Sequence, residues 1–553
     1  MSGHVYGYSL LAACFALFGC GPETSPSTEP GAHAALHLIT AEGLRTHVEF
    51  LSDDAREGRL TGEPGYDAAA AYVAEQFAAI GVAPAGTDGW YQAVSLRHFK
   101  IDTESARFVI HRDGEDLPLR YRDDFAISAD EVRSENSVRA EVVYVGHGVH
   151  APDEGYSDYD GVDVRGKIVA FFDGAPPMIE GDAGSHYSSG RNKAEEAVAR
   201  GAVGIISLRS RKAEERKAWD ETKKQFGKRP STTWVSKDGR AAGYYPEIQG
   251  AAWLSIESSE RLFGMSPMSY AEAHEASLGN VPRSANLGVE VSISVRSDHA
   301  ELTSPNVIGV VRGSDPGLAK EYVVYSAHLD HVGVIPDDDG GDSIYNGMYD
   351  NAMGVALMME TARAIAAAPP KRSVLFIALT GEESGLLGSD YFVNNPTVPV
   401  DALVTNINLD MPLFLFPVAD LIAFGSQHTS LQAIAESASA DEGFVFAPDP
   451  IPEEHLFVRS DQYSFVRFGV PAVYLVPGFT SKNADLDGEA LFRDHIENHY
   501  HEPSDDMTRP VDWDSAVRFA RAHTRIGYTV ANAADRPTWN EGDFFKARFA
   551  RSD

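Results

Sequence analysis

A chain of 553 residues, 43% hydrophobic and 10% aromatic, has enough apolar material for a large core and more than one domain. Its formal net charge of −34 works against binding to nucleic acid or anionic membrane surfaces, so no nucleic-acid partner is expected. Its two cysteines, Cys14 and Cys20, both lie near the N-terminus, which leaves the folded part without disulfides, a thiol nucleophile or cysteine-ligated zinc.

The N-terminal stretch "SLLAACFALFGC" is shorter than the roughly 20 apolar residues that span a bilayer. It reads as the apolar part of an export signal. "LFGC" resembles the bacterial lipoprotein box, in which the cysteine becomes the lipidated first residue; cleaved secretion is the other reading. Residues 1–20 are thus expected to be a signal of lipoprotein type and 21–35 a flexible tether. The expected location is the periplasm or outer membrane, with membrane contact only through that anchor, or otherwise the exterior.

Elements follow in order. "GYDAAAAYVAEQFAAIG" has helical spacing and a glycine stop at Gly81. From about residue 140, "AEVVYVGHGV", "GKIVAFFDG" and "VGIISL" read as short strands bounded by Gly and Asp. "RNKAEEAVARGA" reads as a helix between two of them. "RSRKAEERKAWDETKKQFGKRP" is a basic island in an acidic chain and reads as a solvated surface excursion, with a substrate-contacting lid as the other reading. From about 296, strands ("EYVVYSAHLD", "RSVLFIALTGEE", "ALVTNINLDM", "VPAVYLVPG") alternate with helices ("NAMGVALMMETARAIAAA", "HTSLQAIAESASADEG", "DSAVRFARAHTRIGYTVANAA"). Such alternation predicts an α/β domain with a mostly parallel, doubly covered sheet. The middle segment reads as a separate β-rich domain. The expected division is 36–137 and 296–535 for the α/β domain, 138–295 for the insertion and 536–553 for a C-terminal tail.

Candidate ligands cluster just after predicted strands: His328 and Asp330, Glu382 and Glu383, and Asp410. Open α/β sheets place ligands at these carboxyl ends. Asp350 opens a predicted helix and His501 lies in the loop "NHYHEPSDD". Two histidines and several carboxylates without thiols suit a pair of divalent ions of zinc type. A carboxylate shared by two ions gives the two-metal hydrolase arrangement, in which a water loses its proton near neutral pH. Of two adjacent glutamates in a turn, one can bind metal while the other stays free to shuttle that proton. The acidic run "PDDDGGD" lacks the spacing of a calcium loop and reads as a solvated turn.

"AHLDHVG", "YNGMYDNAMG", "TGEESGLLGS", "NLDM" and "YHEPSDD", in this order, resemble the co-catalytic di-zinc aminopeptidase family, which includes bacterial leucyl aminopeptidases and glutamate carboxypeptidase. "LSDDAREGRLTGEPGYDAAAAYVAEQF" resembles its N-terminal signature, and "FVRSDQYSFVRFGVPAVYLVPG" the segment before the last ligand. "GYSDYDGVDVRGKIVAFFDGAPP" with "KAEEAVARGAVGIISL" resembles the protease-associated (PA) domain that many members carry as an insertion. The resemblance implies a zinc exopeptidase fold and two Zn2+ ions, with cobalt or manganese as alternatives. It implies that His328, Asp350, Glu383, Asp410 and His501 bind metal. Asp350 would bridge, Asp410 would complete the ion held by His328, and Glu383 would share its ion with His501. Glu382 would be the general base and then the acid, and Asp330 would orient His328. A non-proline cis peptide is implied at Asp350–Asn351. Met348, Tyr349 and Met353 stand where the family has other, mostly small residues, which bears on substrate preference. The function expected is a metallo-aminopeptidase acting on peptides. A carboxypeptidase or dipeptidase, a glutaminyl cyclase and a non-catalytic ectodomain are the alternatives.

Overall fold

The computed structural model describes residues 35–336 and 340–551. The signal, most of the tether and residues 337–339 of the acidic turn lie outside the described residues. Among those described, no helix is long and apolar enough to cross a membrane.

The architecture is α/β: a large mixed sheet flanked by helices, with a second sheet beside it. The strands of the first sheet are β1 (Tyr91–Ile101), β2 (Ser284–Val311), β3 (Tyr322–His328), β4 (Ser373–Leu379), β5 (Leu403–Asn408), β6 (Asp420–Phe424), β7 (Val445–Ala447) and β8 (Ala472–Pro477). They lie side by side as β1-β2-β4-β3-β5-β8-β6-β7. The four central strands β4, β3, β5 and β8 are parallel, while β1, β2 and β6 bring in antiparallel pairings. Every residue of β3, β4 and β5 is buried, which is why β4 reads as a near-continuous apolar run, while β5 also buries the polar Thr405, Asn406 and Asn408.

Helices α1 (Ala41–Leu51), α2 (Pro64–Ala79), α3 (Met353–Ala367), α4 (Leu431–Asp441) and α5 (Trp513–Asn532) belong to the same body. Side chains of all five join one apolar core with alternate residues of β3 and β4. Local chemistry sets their ends. Thr40 caps α1 by accepting from Gly43 N, and Asp512 caps α5 by accepting from Ser515 N. Pro369 and Pro370 stop α3. Leu387–Asn394 and Gln462–Arg467 are helices over the other face, where Phe392 and Phe465 share a core with Leu375 and Ile377.

The second sheet has its own core. The strands Ile168–Phe172, Gly204–Leu208 and Ala251–Leu254 run parallel within it. Its strands begin with Arg107–Arg112, ahead of the position 138 expected from the sequence. Alternating strands look alike in sequence, and only long-range pairing tells which sheet they join. Strand β2 belongs to both sheets: residues 284–296 pair in the second and 297–311 in the first. The basic island folds into two short helices anchored by buried Trp219. It then continues as the strand Ser231–Trp234 along the outer edge of β1. The C-terminal segment contains helix α6 (Phe544–Phe549), whose Phe545 is fully buried against Phe457 and His428.

Candidate metal centre

The parallel register aligns the carboxyl ends of the central strands. His328, the last residue of β3, stands opposite Leu379, the last of β4, and Ser326 stands opposite Asn408 of β5. The chain leaving each strand therefore delivers His328, Glu382–Glu383 and Asp410 to one place. Asp350 comes from a wide turn, Met348–Ala352, ahead of α3. His501 arrives from the loop between the helix Gly488–Asn498 and α5.

All five expected ligands meet there. His328 Nε2 lies 3.1 Å from Asp350 Oδ1 and 3.1 Å from Asp410 Oδ1. His501 Nε2 lies 3.1 Å from Asp350 Oδ2 and 2.9 Å from Glu383 Oε2. The two oxygens of Asp350 thus face two separate donor sets. Two groups have ligand atoms close enough to hold an ion: His328, Asp350 and Asp410, and Asp350, Glu383, His501 and His331. The Asp350–Asn351 peptide is cis.

The fit to metal can be tested on these atoms. His501 Nε2 is buried and makes no hydrogen bond, although two carboxylate oxygens are within reach. These ligand atoms lie close enough together to share one ion. Asp330, Asp350, Glu382, Glu383 and Asp410 bring concentrated negative charge into a buried place, and buried charge must be paired or coordinate metal. Burial pushes the pKa of Asp330 up to about 6. Burial raises Glu382 well above the usual carboxylate range, and Asp410, Asp461 and Glu383 add to that against His328. Burial opposes protonation of His501, but Asp350 and Glu383 outweigh it and raise the imidazole to about 10.

Asp330 does something other than expected. His328 Nδ1 faces the Asp330 backbone carbonyl at 3.1 Å, while the carboxylate is 3.9 Å away. That carboxylate accepts from the backbone N–H of Glu382 at 3.1 Å and of Glu383 at 3.3 Å. Asp330 therefore fastens the two-glutamate turn to the His328 loop. Met348, Tyr349 and Met353 are fully buried in the main core and do not line the cavity at the centre. Their departure from the family pattern thus concerns packing, not substrate contact.

Sequence reasoning missed four supporting residues. Arg59, from "LSDDAREGRLTG", is wholly buried and donates to the carbonyls of Leu329, Leu51, Asn346 and Gly347 at 2.9, 2.6, 2.7 and 2.9 Å. It ties the His328 loop to the Asp350 turn. The preceding Gly58 has φ +64, and a Cβ there would meet Tyr345 O at 2.4 Å, so glycine is required for this close approach. Asp505 accepts from Tyr349 N and Asp350 N at 3.1 Å each. Asp461 is fully buried, and burial pushes it up to about 7. His331 is the fourth. In sequence these were a lone arginine in an acidic loop, one of an Asp pair, an Asp ahead of a short helix and a second histidine in "HLDH". Arg229, at the end of the basic island, is within electrostatic reach of Glu383 and Tyr345, so that island touches the surroundings of the centre.

A cavity of about 420 Å³ opens from Asp350, Glu382 and Asp410. Leu413, Phe416, Ile422, Phe424, Val476 and Phe479 line it, together with the charged Glu454, Arg459, Arg493 and Glu497.

Known proteins resemble the chain in sequence and in fold. Residues 306–526 match Peptidase family M28. The chain is 26% identical over 262 residues to a probable leucine aminopeptidase 2 of Aspergillus fumigatus, covering 45% of this chain and 48% of that protein. It is 33% identical over 111 residues to aminopeptidase YwaD of Bacillus subtilis, covering 20% of this chain and 22% of that protein. These matches span half or less of the curated relatives. Among solved structures, an aminopeptidase from Aneurinibacillus sp. strain AM-1 superposes with a TM-score of 0.52 at 18% identity, over 91% of this chain and 97% of the other. That likeness is one of fold. The strand-end carboxylates and histidines all lie within the stretch 306–526 that matches peptidase family M28.

Proposed function

We propose that the chain is a zinc-dependent aminopeptidase that removes N-terminal residues from peptides. The observation that carries this reading is the division of Asp350, with one oxygen toward His328 and Asp410 and the other toward His501 and Glu383. Two zinc ions, one held by His328, Asp350 and Asp410 and one by Asp350, Glu383 and His501, would supply a polarised carbonyl and a water that loses its proton near neutral pH. Cobalt or manganese suits the same donors.

Glu382 belongs to neither donor set yet lines the same cavity. A carboxylate placed there can take a proton from the attacking water and pass it to the leaving amine. Tyr500 stacks on His501, with ring centroids 3.9 Å apart, and lines the cavity. Burial, with Asp350, Glu383, Glu382 and Asp410, keeps its phenol protonated. That proton is available to the substrate carbonyl as negative charge develops on its oxygen. The apolar side chains of its lining favour a large apolar N-terminal side chain.

A second reading, a carboxypeptidase or dipeptidase, draws on one observation. A neighbouring cavity of about 410 Å³, lined by Gly385 and Leu386 of the glutamate turn, also has Arg191, Arg459 and Arg467 in its wall. Guanidinium groups there suit a terminal carboxylate. Each already faces an acid, however: Arg191 has Asp390, Arg459 has Glu454 and Arg467 has Glu195. The aminopeptidase is therefore preferred. On sequence pattern we also read the second sheet and its helices as a PA-type insertion, whose Ser185 and Arg191 reach this second cavity, and the chain as exported.

Metal content by mass spectrometry, combined with amino-acid release from a free-amine peptide and its N-acetylated twin, tests the reading. Two metals and cleavage of the free-amine peptide alone are expected. Cleavage of the blocked twin would favour the carboxypeptidase, and a metal-free protein after zinc supply would overturn both.

A further inference from the structure

His331 is 0% exposed and lies in the half of the centre that holds Glu383 and His501. Its backbone N–H donates to Arg59 O at 3.2 Å. Its ring meets the His501 ring edge-on, 5.5 Å between centroids at 74°. Across from it, Gly347 has φ +57, and a Cβ there would come within 2.5 Å of the His331 ring and 2.2 Å of Asp350 O. The turn carrying Asp350 can therefore close over an imidazole at 331 only with glycine at 347.

Its position admits two roles, that of a further metal ligand or that of a donor holding a ligand in place. The geometry separates them. Glu383 divides its oxygens: Oε2 lies 2.9 Å from His501 Nε2, while Oε1 lies 2.8 Å from His331 Nδ1 and is hydrogen-bonded to it. His331 Nδ1 is 3.8 Å from Asp350 Oδ2. A ligating histidine nearly always donates its other N–H to an acceptor, as His328 Nδ1 can to the Asp330 carbonyl. His331 Nε2 is buried and has no partner. A proton on Nε2 would therefore be a buried donor with nowhere to go, whereas a proton on Nδ1 has Glu383 Oε1. An unmet acceptor is the more tolerable orphan.

We propose that His331 is a positioning residue: its Nδ1–H holds Glu383 Oε1 and leaves Oε2 to face the metal beside His501 and Asp350. The effect falls on one half of the centre. This rests on the two-metal reading given above.

The test is a metal titration of the full chain, stripped and reloaded with Zn2+ against a chelator. Co2+ absorption serves as a second readout of ligand type, independent of turnover. For H331A, affinity should fall about 10–100-fold at one site and stay within twofold at the other. H331N, whose amide N–H can stand where Nδ1–H stood, should recover most of the loss and keep the wild-type Co2+ spectrum. H331F replaces the alanine variant should that fail to fold. Unchanged affinity at both sites in H331A would overturn the proposal. So would an H331N as weak as H331A with a Co2+ spectrum that has lost a nitrogen ligand, which would make His331 a direct ligand. A wild-type protein that takes up no metal would instead overturn the two-metal reading itself.

Discussion

Replacing Arg59 by methionine keeps most of the side chain's volume and removes its charge and all four hydrogen bonds. The bonds run to carbonyls in three separate segments, at Leu51, at Leu329 and at Asn346–Gly347. A hydrogen bond from a charged donor is worth about 1.5–3 kcal/mol, so four amount to roughly 6–12 kcal/mol before costs. The cost is visible in the guanidinium itself, whose pKa burial lowers from 12.5 to about 10 despite Asp350, Asp505, Asp330 and Glu383. That shift corresponds to about 3 kcal/mol. Bonds sharing one group are not additive, which favours the low end of the difference. Arg59→Met should therefore destabilise the α/β domain by about 3–6 kcal/mol, a large share of a typical domain's stability. Arg59→Lys keeps the charge but loses the fork, and should forfeit about half as much. Urea unfolding followed by tryptophan fluorescence, with metal uptake on the same samples, measures both effects. An Arg59→Met protein within about 0.5 kcal/mol of wild type and with unaltered metal uptake would refute the reasoning.

Other substitutions probe the remaining parts. Glu382→Ala should retain metal while turnover falls about 10²–10⁴-fold, because only the proton shuttle is removed; metal analysis beside kcat checks it. Asp505→Ala leaves Tyr349 N and Asp350 N without their acceptor and should cost about 2–4 kcal/mol in unfolding free energy, with weaker metal uptake read by titration. His428 lies 2.7 Å from Asp182 and 2.6 Å from Asp543. Burial works against its protonation, but the two acids raise its pKa from 6.5 to about 9. The folded value lies above the unfolded one, so the pair's contribution is complete below pH 6.5 and is lost as pH rises to about 9. Stability should fall by about 3 kcal/mol over that window, and His428→Gln should flatten the slope in pH-dependent unfolding. Ile422→Trp, which narrows the apolar cavity, should raise KM for peptides with large N-terminal residues more than for those beginning with alanine, as paired kinetic assays would show.

The centre was legible in sequence because its chemistry needs particular residue types in particular places: His328, Glu382, Glu383 and Asp410 stand at or just after strand ends, Asp350 opens a helix and His501 lies in a histidine- and acid-rich loop. Its supports were not. Arg59 is one basic residue in a loop, and nothing local shows that four carbonyls from distant segments will surround it. His331 sits three residues from a ligand and reads as part of the same motif. Asp330 meets His328 through its backbone carbonyl, while its carboxylate holds the glutamate turn, a division that no sequence pattern displays. In the fold, the buried parallel strands were plain from their apolar runs. The membership of Arg107–Arg112 in the second sheet was hidden, because it depends on pairing with residues near 290. The aromatic residues of 544–549 form a packed helix where a tail was expected.

The strand that serves both sheets has a consequence for how the chain reaches this structure. β1 and the second half of β2 are partners far apart in sequence, with Ile101 opposite Ser297 and Tyr91 opposite Val307. Closing so long a loop of disordered chain is entropically costly and slows folding. If the second sheet assembles first, the closure is already done. The Asp102 N–H meets the Arg296 carbonyl at 2.9 Å, so the two chain ends leave that sheet side by side and in register. What was a search across nearly two hundred residues becomes the zipping of a hairpin. The intervening sheet would then act during folding as the turn of that hairpin, setting the edge of the larger sheet before its parallel strands are laid down.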